Sequence, residues 1–234
     1  MAAYIWGGPN RPILRSFSTA RSMSLSQIPL SGKFTTPRVH VRADPILRIQ
    51  GYPEPQRARL DIKTAAIKMA ERAQALCQPT GWYHEVQINK YREGSLILEN
   101  RVVLRCPDFK LLPSCRSVVM FVLTVGEAID CEVQALNQAG EVLEALFLEV
   151  AAWLAVEDTT KMFVEFLRAR AVERRCGLTR RFAPGYGDWP LTDQKALFSF
   201  FENTEITVEL LDSCVMVPKM SRSGMYGLRT LQHP

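Results

Sequence analysis

The chain has 234 residues, 47% of them apolar and 23% charged, with a formal net charge of +5. That is enough apolar chain for one large domain with its own core, while its most apolar run, Ser117–Gly126, falls well short of the about 20 residues that cross a bilayer. The charge excess sits in residues 1–43, which hold six basic side chains (Arg11, Arg15, Arg21, Lys33, Arg38, Arg42) and no acid; the remaining 23 basic residues face 24 acidic ones and offer no groove for nucleic acid.

From the N-terminus, "RPILRSFSTARSMSLS" is rich in Arg and Ser. Residues 1–43 are expected to be a disordered extension before a single domain at 44–234, with an organellar transit peptide or a start at Met23 as alternative readings. The six cysteines are scattered without a CxxC pair, as buried thiols of a cytoplasmic protein are. With only three histidines, no metal site is expected.

"IKTAAIKMAERAQALC" has helical spacing, with Asp61 as its expected cap, and ends at Gln78–Gly81. "WYHEVQINKY" and "SLILENRVVL", separated by "REG", read as a β-hairpin. A buried strand at Val118–Val125 follows, then a helix closed by Gly140. Two further helices are expected, "EVLEALFLEVAAWLAVED" and "TTKMFVEFLRARAVERRCG", the first apolar almost all round and therefore central. After them come an irregular loop, a helix around Asp193–Phe201, a strand in "EITVELLDS" and a second irregular segment. Strands, then helices, then strands again predict an α+β domain with a largely antiparallel sheet.

Much familiar chemistry is missing. There is no GxxxxGK[ST] loop and no GxSxG elbow, and Gly185-Tyr-Gly187 leads into Asp-Trp-Pro rather than a helix. His84 could form a dyad with a cysteine, but nothing around it recommends that role.

The two irregular segments, "RFAPGYGDWPLTDQ" and "MVPKMSRSGMYG", carry the distinctive residues. Arg181 is a forked, permanently charged donor for a carboxylate. The small residues Ala183 and Gly185 let a ligand approach the backbone, and Tyr186, Trp189 and Tyr226 offer π faces to a cation or a base. S-Adenosylmethionine (AdoMet) has all three groups. The plainer alternative pairs Arg181 with a surface acid, lays Tyr186 and Trp189 over the core and gives Gly185 to a turn.

Together the segments resemble the AdoMet-binding activation domain of cobalamin-dependent methionine synthase. That family's pattern, Arg-x-x-Pro-Gly-Tyr and then Met-x-Pro-x-x-Ser-x-Ser-Gly-x-Tyr, matches at Arg181, Pro184, Gly185, Tyr186, Pro190, Met216, Pro218, Ser221, Ser223, Gly224 and Tyr226. The likeness covers roughly residues 140–230, and "GDWPLTDQ" is closer to the family's short stand-alone members. The resemblance implies a C-shaped domain with a twisted antiparallel sheet and a shallow AdoMet groove. It assigns Arg181 to the carboxylate, the backbone near Ala183 and Gly185 to the adenine and amino groups, and Tyr186 and Tyr226 to the groove near the sulfonium. Ser221 and Ser223 would shape the turn.

In that family the cofactor is reactivated after oxidation to cob(II)alamin, by one-electron reduction and methyl transfer from AdoMet. This chain has no cobalamin-binding Asp-x-His-x-x-Gly motif. The implied partners are therefore a corrinoid protein such as methionine synthase, carrying the cobalamin, and an electron donor such as flavodoxin or ferredoxin; no membrane is implied. One position departs from the family: Lys161 stands where a ligand-contacting acid is expected, with Glu157 one helical turn earlier as the substitute. An AdoMet-sensing or corrinoid-protein docking domain without catalysis is the alternative function.

Overall fold

The computed structural model describes residues 30–92, 94–105 and 109–231. Its nine strands are β1 (Gly32–Thr35), β2 (Thr80–Arg92), β3 (Ser95–Leu98), β4 (Val103–Arg105), β5 (Cys115–Thr124), β6 (Cys176–Phe182), β7 (Glu209–Leu210), β8 (Met216–Val217) and β9 (Ser221–Thr230). The helices are α1 (Ala43–Ile49), α2 (Leu60–Leu76), α3 (Ala128–Gln138), α4 (Val142–Glu173) and α5 (Gln194–Phe198). The main sheet runs β4-β3-β2-β5-β9-β6, with β1 beside the first half of β2, and every pairing is antiparallel. This is the expected α+β class.

The sheet has two cores because β5 is buried on both faces. Val118, Met120 and Val122 point to one side and pack with Trp82, Phe182, Trp189 and Met225. Val119, Phe121 and Leu123 point to the other, against Phe163 and Leu167 of α4. A strand covered on both faces reads as an unbroken apolar run, as this one does. The N-terminal half of α4 leaves the sheet and forms a third core with α1, α2 and α3 through Phe147, Leu148, Ala151 and Ala155.

The two helices expected at 141–177 are one continuous 32-residue helix, about 48 Å long. The sequence between them, Glu157-Asp158-Thr159-Thr160, holds neither Gly nor Pro. The Thr159 and Thr160 hydroxyls donate to the carbonyls of Ala155 and Val156 at 2.8 and 2.7 Å. Their polar groups are thus satisfied inside the helix, and the β-branched pair does not break it. Helix α3 does end as expected: Gly140 takes φ +80°, and the N–H of Glu141 closes back on the Leu136 carbonyl at 2.9 Å.

Other expectations are corrected. The domain does not begin at residue 44. β1 pairs with β2, Leu30, Phe34, Val39 and Val41 are buried, and the His40 N–H donates to Asp158; residues 1–29 of the expected extension lie outside the described residues. Asp61 does not cap α2 but lies inside its first turn, paired with Arg59. The hairpin is a three-strand meander, because Glu99–Arg101 turn the chain between β3 and β4. "EITVELLDS" contributes only the two residues of β7, which pair with β8. Of the two segments read as irregular, the first starts on edge strand β6, and the second is largely β9, a ten-residue strand between β5 and β6. Gly224 permits that crowding: a Cβ there would lie 2.5 Å from the Phe182 carbonyl oxygen and 3.1 Å from the Phe121 ring.

A buried ion pair pins the far end of α4. Arg174, just past the helix, donates through Nη1 and Nη2 to the Glu85 carboxylate on β2. The same carboxylate accepts from the Ser117 hydroxyl at 2.6 Å and the Leu30 N–H at 2.7 Å. Burial pushes the Glu85 carboxyl up, but the bonds from Arg174, Ser117 and Leu30 together outweigh it and hold the pKa below the usual range.

Replacing Glu85 with Ala leaves Arg174 buried and unpaired and is expected to destabilise the domain by about 3–5 kcal/mol, read from chemical denaturation. Because the folded pKa is depressed, the contribution of Glu85 is complete above the ordinary carboxylate value of about 4.3 and fades as pH falls through the lower folded value. Acid titration of wild type and Glu85→Gln should therefore differ most above that range and converge below it.

Candidate functional site

Where β6 ends, the chain turns under the middle of α4, and the return from β8 to β9 faces it. The three segments enclose a groove of about 200 Å³ walled by Trp153, Val156, Arg181, Ala183, Pro184, Tyr186, Gln194 and residues of 216–223. That is less than the 300 Å³ or more of most enclosed ligand pockets, so a ligand here would stay partly open to solvent.

Arg181 sits on β6 opposite Tyr226 of β9. Its guanidinium lies over the Tyr186 ring, 5.7 Å from the centroid, and its Nη1 is buried with no hydrogen-bond partner. Among the described residues no acid is paired with Arg181, so the plainer alternative finds no surface acid there. Tyr186 itself is 67% exposed, which leaves the outer face of the ring available. The Ala183–Trp189 turn is tight: Gly185 takes φ +83°, its N–H donates to the Trp189 carbonyl at 2.9 Å, and the Tyr186 N–H donates to the Ala183 carbonyl at 3.2 Å. Two of the backbone groups expected to meet a ligand are therefore already used within the turn, although a carbonyl keeps a second lone pair.

Trp189 does not face the groove. It is buried on the opposite side of the sheet, edge-on to Phe109, with Nε1 donating to Asp193 at 2.9 Å. Tyr226 also stands behind the groove rather than in its wall: its ring stacks on Phe121 at 5.3 Å. Burial pushes its hydroxyl up to about 12, with Arg181, Arg222 and Arg168 pulling it the other way. Ser221 shapes the turn, donating to the Pro218 carbonyl at 2.7 Å and lying 3.0 Å from the Thr124 hydroxyl.

The acid at the groove is committed. Glu157 of α4 accepts from Arg222 Nη2, and Arg222 Nη1 donates to the Thr160 hydroxyl at 3.2 Å. That hydrogen bond, against partial burial, holds the Glu157 carboxyl below its usual range, with Arg181 and Lys161 adding to the effect. Lys161 is exposed on the same helix. No acidic side chain lines the groove, and no cluster of three or more His, Cys, Asp or Glu able to hold a metal occurs among the described residues.

Sequence reasoning missed Gln194, Arg222, Trp153, Lys219 and Met220 as groove residues. Arg222 and Met220 lay inside the second motif and could have been taken from it. Trp153 looked like core because its helix is apolar all round, yet it is 47% exposed. Gln194 closes the first segment but was given no role there.

Fold and site together define an α+β domain whose long central helix, edge strand and Pro/Gly-rich turn build an arginine-bearing groove. Among solved structures, the chain resembles the crystal structure of the MetH reactivation domain bound to AdoHcy, with a TM-score of 0.58 and 17% sequence identity over 87% of this chain and 80% of that one. The fold is shared. No family model and no curated protein matches the sequence. No helix among the described residues is long and apolar enough to cross a membrane.

Replacing Arg222 with Met should free the Glu157 carboxylate and raise its pKa, since the largest lowering influence disappears. A carboxyl carbon titration by NMR reads this directly; an unmoved Glu157 would mean that the pair does not persist in solution.

Proposed function

We propose that the chain is an AdoMet-binding reactivation module for a corrinoid-dependent methyltransferase, most simply methionine synthase. The observation that supports this most directly is Arg181, held in the groove wall with one guanidinium nitrogen buried and unpartnered. A ligand carboxylate would supply the missing acceptor through a charge-assisted bond. Tyr186, exposed beside it, would cover the ligand's cationic or aromatic part, and the small Ala183 and the positive-φ Gly185 keep the backbone close enough to touch it.

On this reading the protein's work is positioning. AdoMet would supply its sulfonium methyl group to a reduced cobalt centre carried by a partner protein. The reducing electron would come from an external donor such as flavodoxin or ferredoxin. This chain's residues would hold the amino-acid end and leave the methyl face open, which an open groove allows. The Arg222 guanidinium, tied to Glu157, would fix the wall opposite Arg181 rather than bind ligand.

A second reading, an AdoMet-sensing or docking domain without catalysis, is favoured by one specific feature. With Glu157 bonded to Arg222 and Lys161 pointing to solvent, the groove wall offers no acid to the ligand's ammonium group.

Calorimetry with AdoMet on wild type and Arg181→Ala tests the common ground. A charged hydrogen bond contributes roughly 1.5–3 kcal/mol, so the variant should bind about 10- to 150-fold more weakly. Absence of heat from the wild type at high ligand concentration overturns both readings. Recovery of methylcobalamin from cob(II)alamin, given AdoMet, reductant and a corrinoid protein, then separates them: a raised yield supports reactivation, and an unchanged yield supports sensing or docking.

A further inference from the structure

Two side chains in the groove wall carry polar atoms for which the fold provides nothing: Nη1 of Arg181 and Nε2 of Gln194. The second is the more telling. Gln194 opens the short helix α5 and is only 3% exposed, in a stretch whose neighbours pack into the core around Trp189, Leu197 and Phe201. A buried carboxamide without a partner is costly, and a methionine or leucine would fill the same space at no such cost. Three polar neighbours are satisfied by the protein itself: Asp193 by the Arg105 N–H and the Trp189 indole, Ser221 by Pro218 and Thr124, Arg222 by Glu157 and Thr160. Three buried side-chain nitrogens lack a partner among the described residues: Arg174 Nε, beside Glu85 and away from the groove, and the Arg181 and Gln194 nitrogens, whose residues line the same groove.

We infer that Gln194 is a ligand-contacting residue, and that its amide and the Arg181 guanidinium form a two-donor seat for the carboxylate of the bound ligand. This rests on the AdoMet reading above and gives a role to the last residue of the first segment, to which the resemblance assigned none. A carboxylate has two oxygens and about four lone-pair sites. Arg181 alone, with its guanidinium over the Tyr186 ring, cannot fill them. No carboxylate is among the residues lining the groove; Lys219 is paired with Glu149 and Arg222 with Glu157, which leaves Arg181 as the lining cation without an ion-pair partner among the described residues, and that suits an anionic end group.

The test pairs Gln194→Met and Gln194→Glu with two ligands, S-adenosylhomocysteine and its decarboxylated analogue, each titrated by calorimetry, together with thermal melts of the ligand-free proteins. Gln194→Met should melt at or above the wild-type temperature, because it removes an unpartnered polar group. It should bind S-adenosylhomocysteine at least about tenfold more weakly, as expected for a lost hydrogen bond to a charged group, and bind the decarboxylated analogue as the wild type does. Gln194→Glu sets like charges together and should lose more affinity for S-adenosylhomocysteine than Gln194→Met, but not for the analogue. Wild-type affinity in Gln194→Met, or a melting temperature lowered with binding intact, makes the amide structural and overturns the inference. Equal losses for both ligands place the amide on another part of the ligand and also overturn it. A wild type that binds neither ligand sinks the AdoMet reading itself, whereas tight wild-type binding with indifferent Gln194 variants removes only this seat.

Discussion

The position of α4 depends on an ion pair that water cannot reach. Glu85 has no exposed side-chain surface, and Arg174 has 8%. Together with Ser117 and the Leu30 N–H, they tie β2, β5, the end of α4 and the N-terminal arm to one point. A buried pair of this kind adds little net stability over an apolar substitute, but it tolerates no half-measures, since either ion alone is costly. Its effect is therefore geometric. With the C-terminal end of α4 fixed on the sheet, the middle of the helix passes over the end of β6, and there Trp153 and Val156 meet the Arg181 turn.

From that crossing the groove acquires its electrostatics. Glu157 is bonded to Arg222, which ties α4 to β9 beside the groove, and Glu149 is bonded to Lys219. What remains is basic and partly aromatic, with unpartnered donors where a ligand would bring acceptors. On the reading proposed above, a wall of this composition would suit a carboxylate end group more than a cation.

The two signature segments owe much of their unusual composition to packing. Gly224 lets β6 and Phe121 close on β9, Trp189 fills the core beneath the turn, and Tyr226 stacks on Phe121. Arg181, Ala183, Gly185 and Tyr186 line or form the groove, while Ser221 holds the turn before β9. The second segment, irregular in sequence through Gly and Ser, thus becomes a central strand, because the neighbouring strands supply hydrogen bonds and close contacts that composition does not reveal.

Local rules were enough for several features: α2 from its helical period, β5 from its unbroken apolar run, the end of α3 from Gly140, and the α+β class from the order of elements. Those signals come from residues near one another in the chain, where spacing fixes which face is buried. Other outcomes needed contacts between distant parts of the sequence. The continuity of α4 through two threonines, the entry of Leu30–Val41 into the domain, the strand character of β6 and β9, the withdrawal of Trp189 and Tyr226 from the groove and the pairing of Glu157 with Arg222 all belong here. So does Gln194, an ordinary polar residue until the fold buries it beside Arg181 without a partner: the sequence determines which groups are present, but only tertiary packing decides which of them are left unsatisfied.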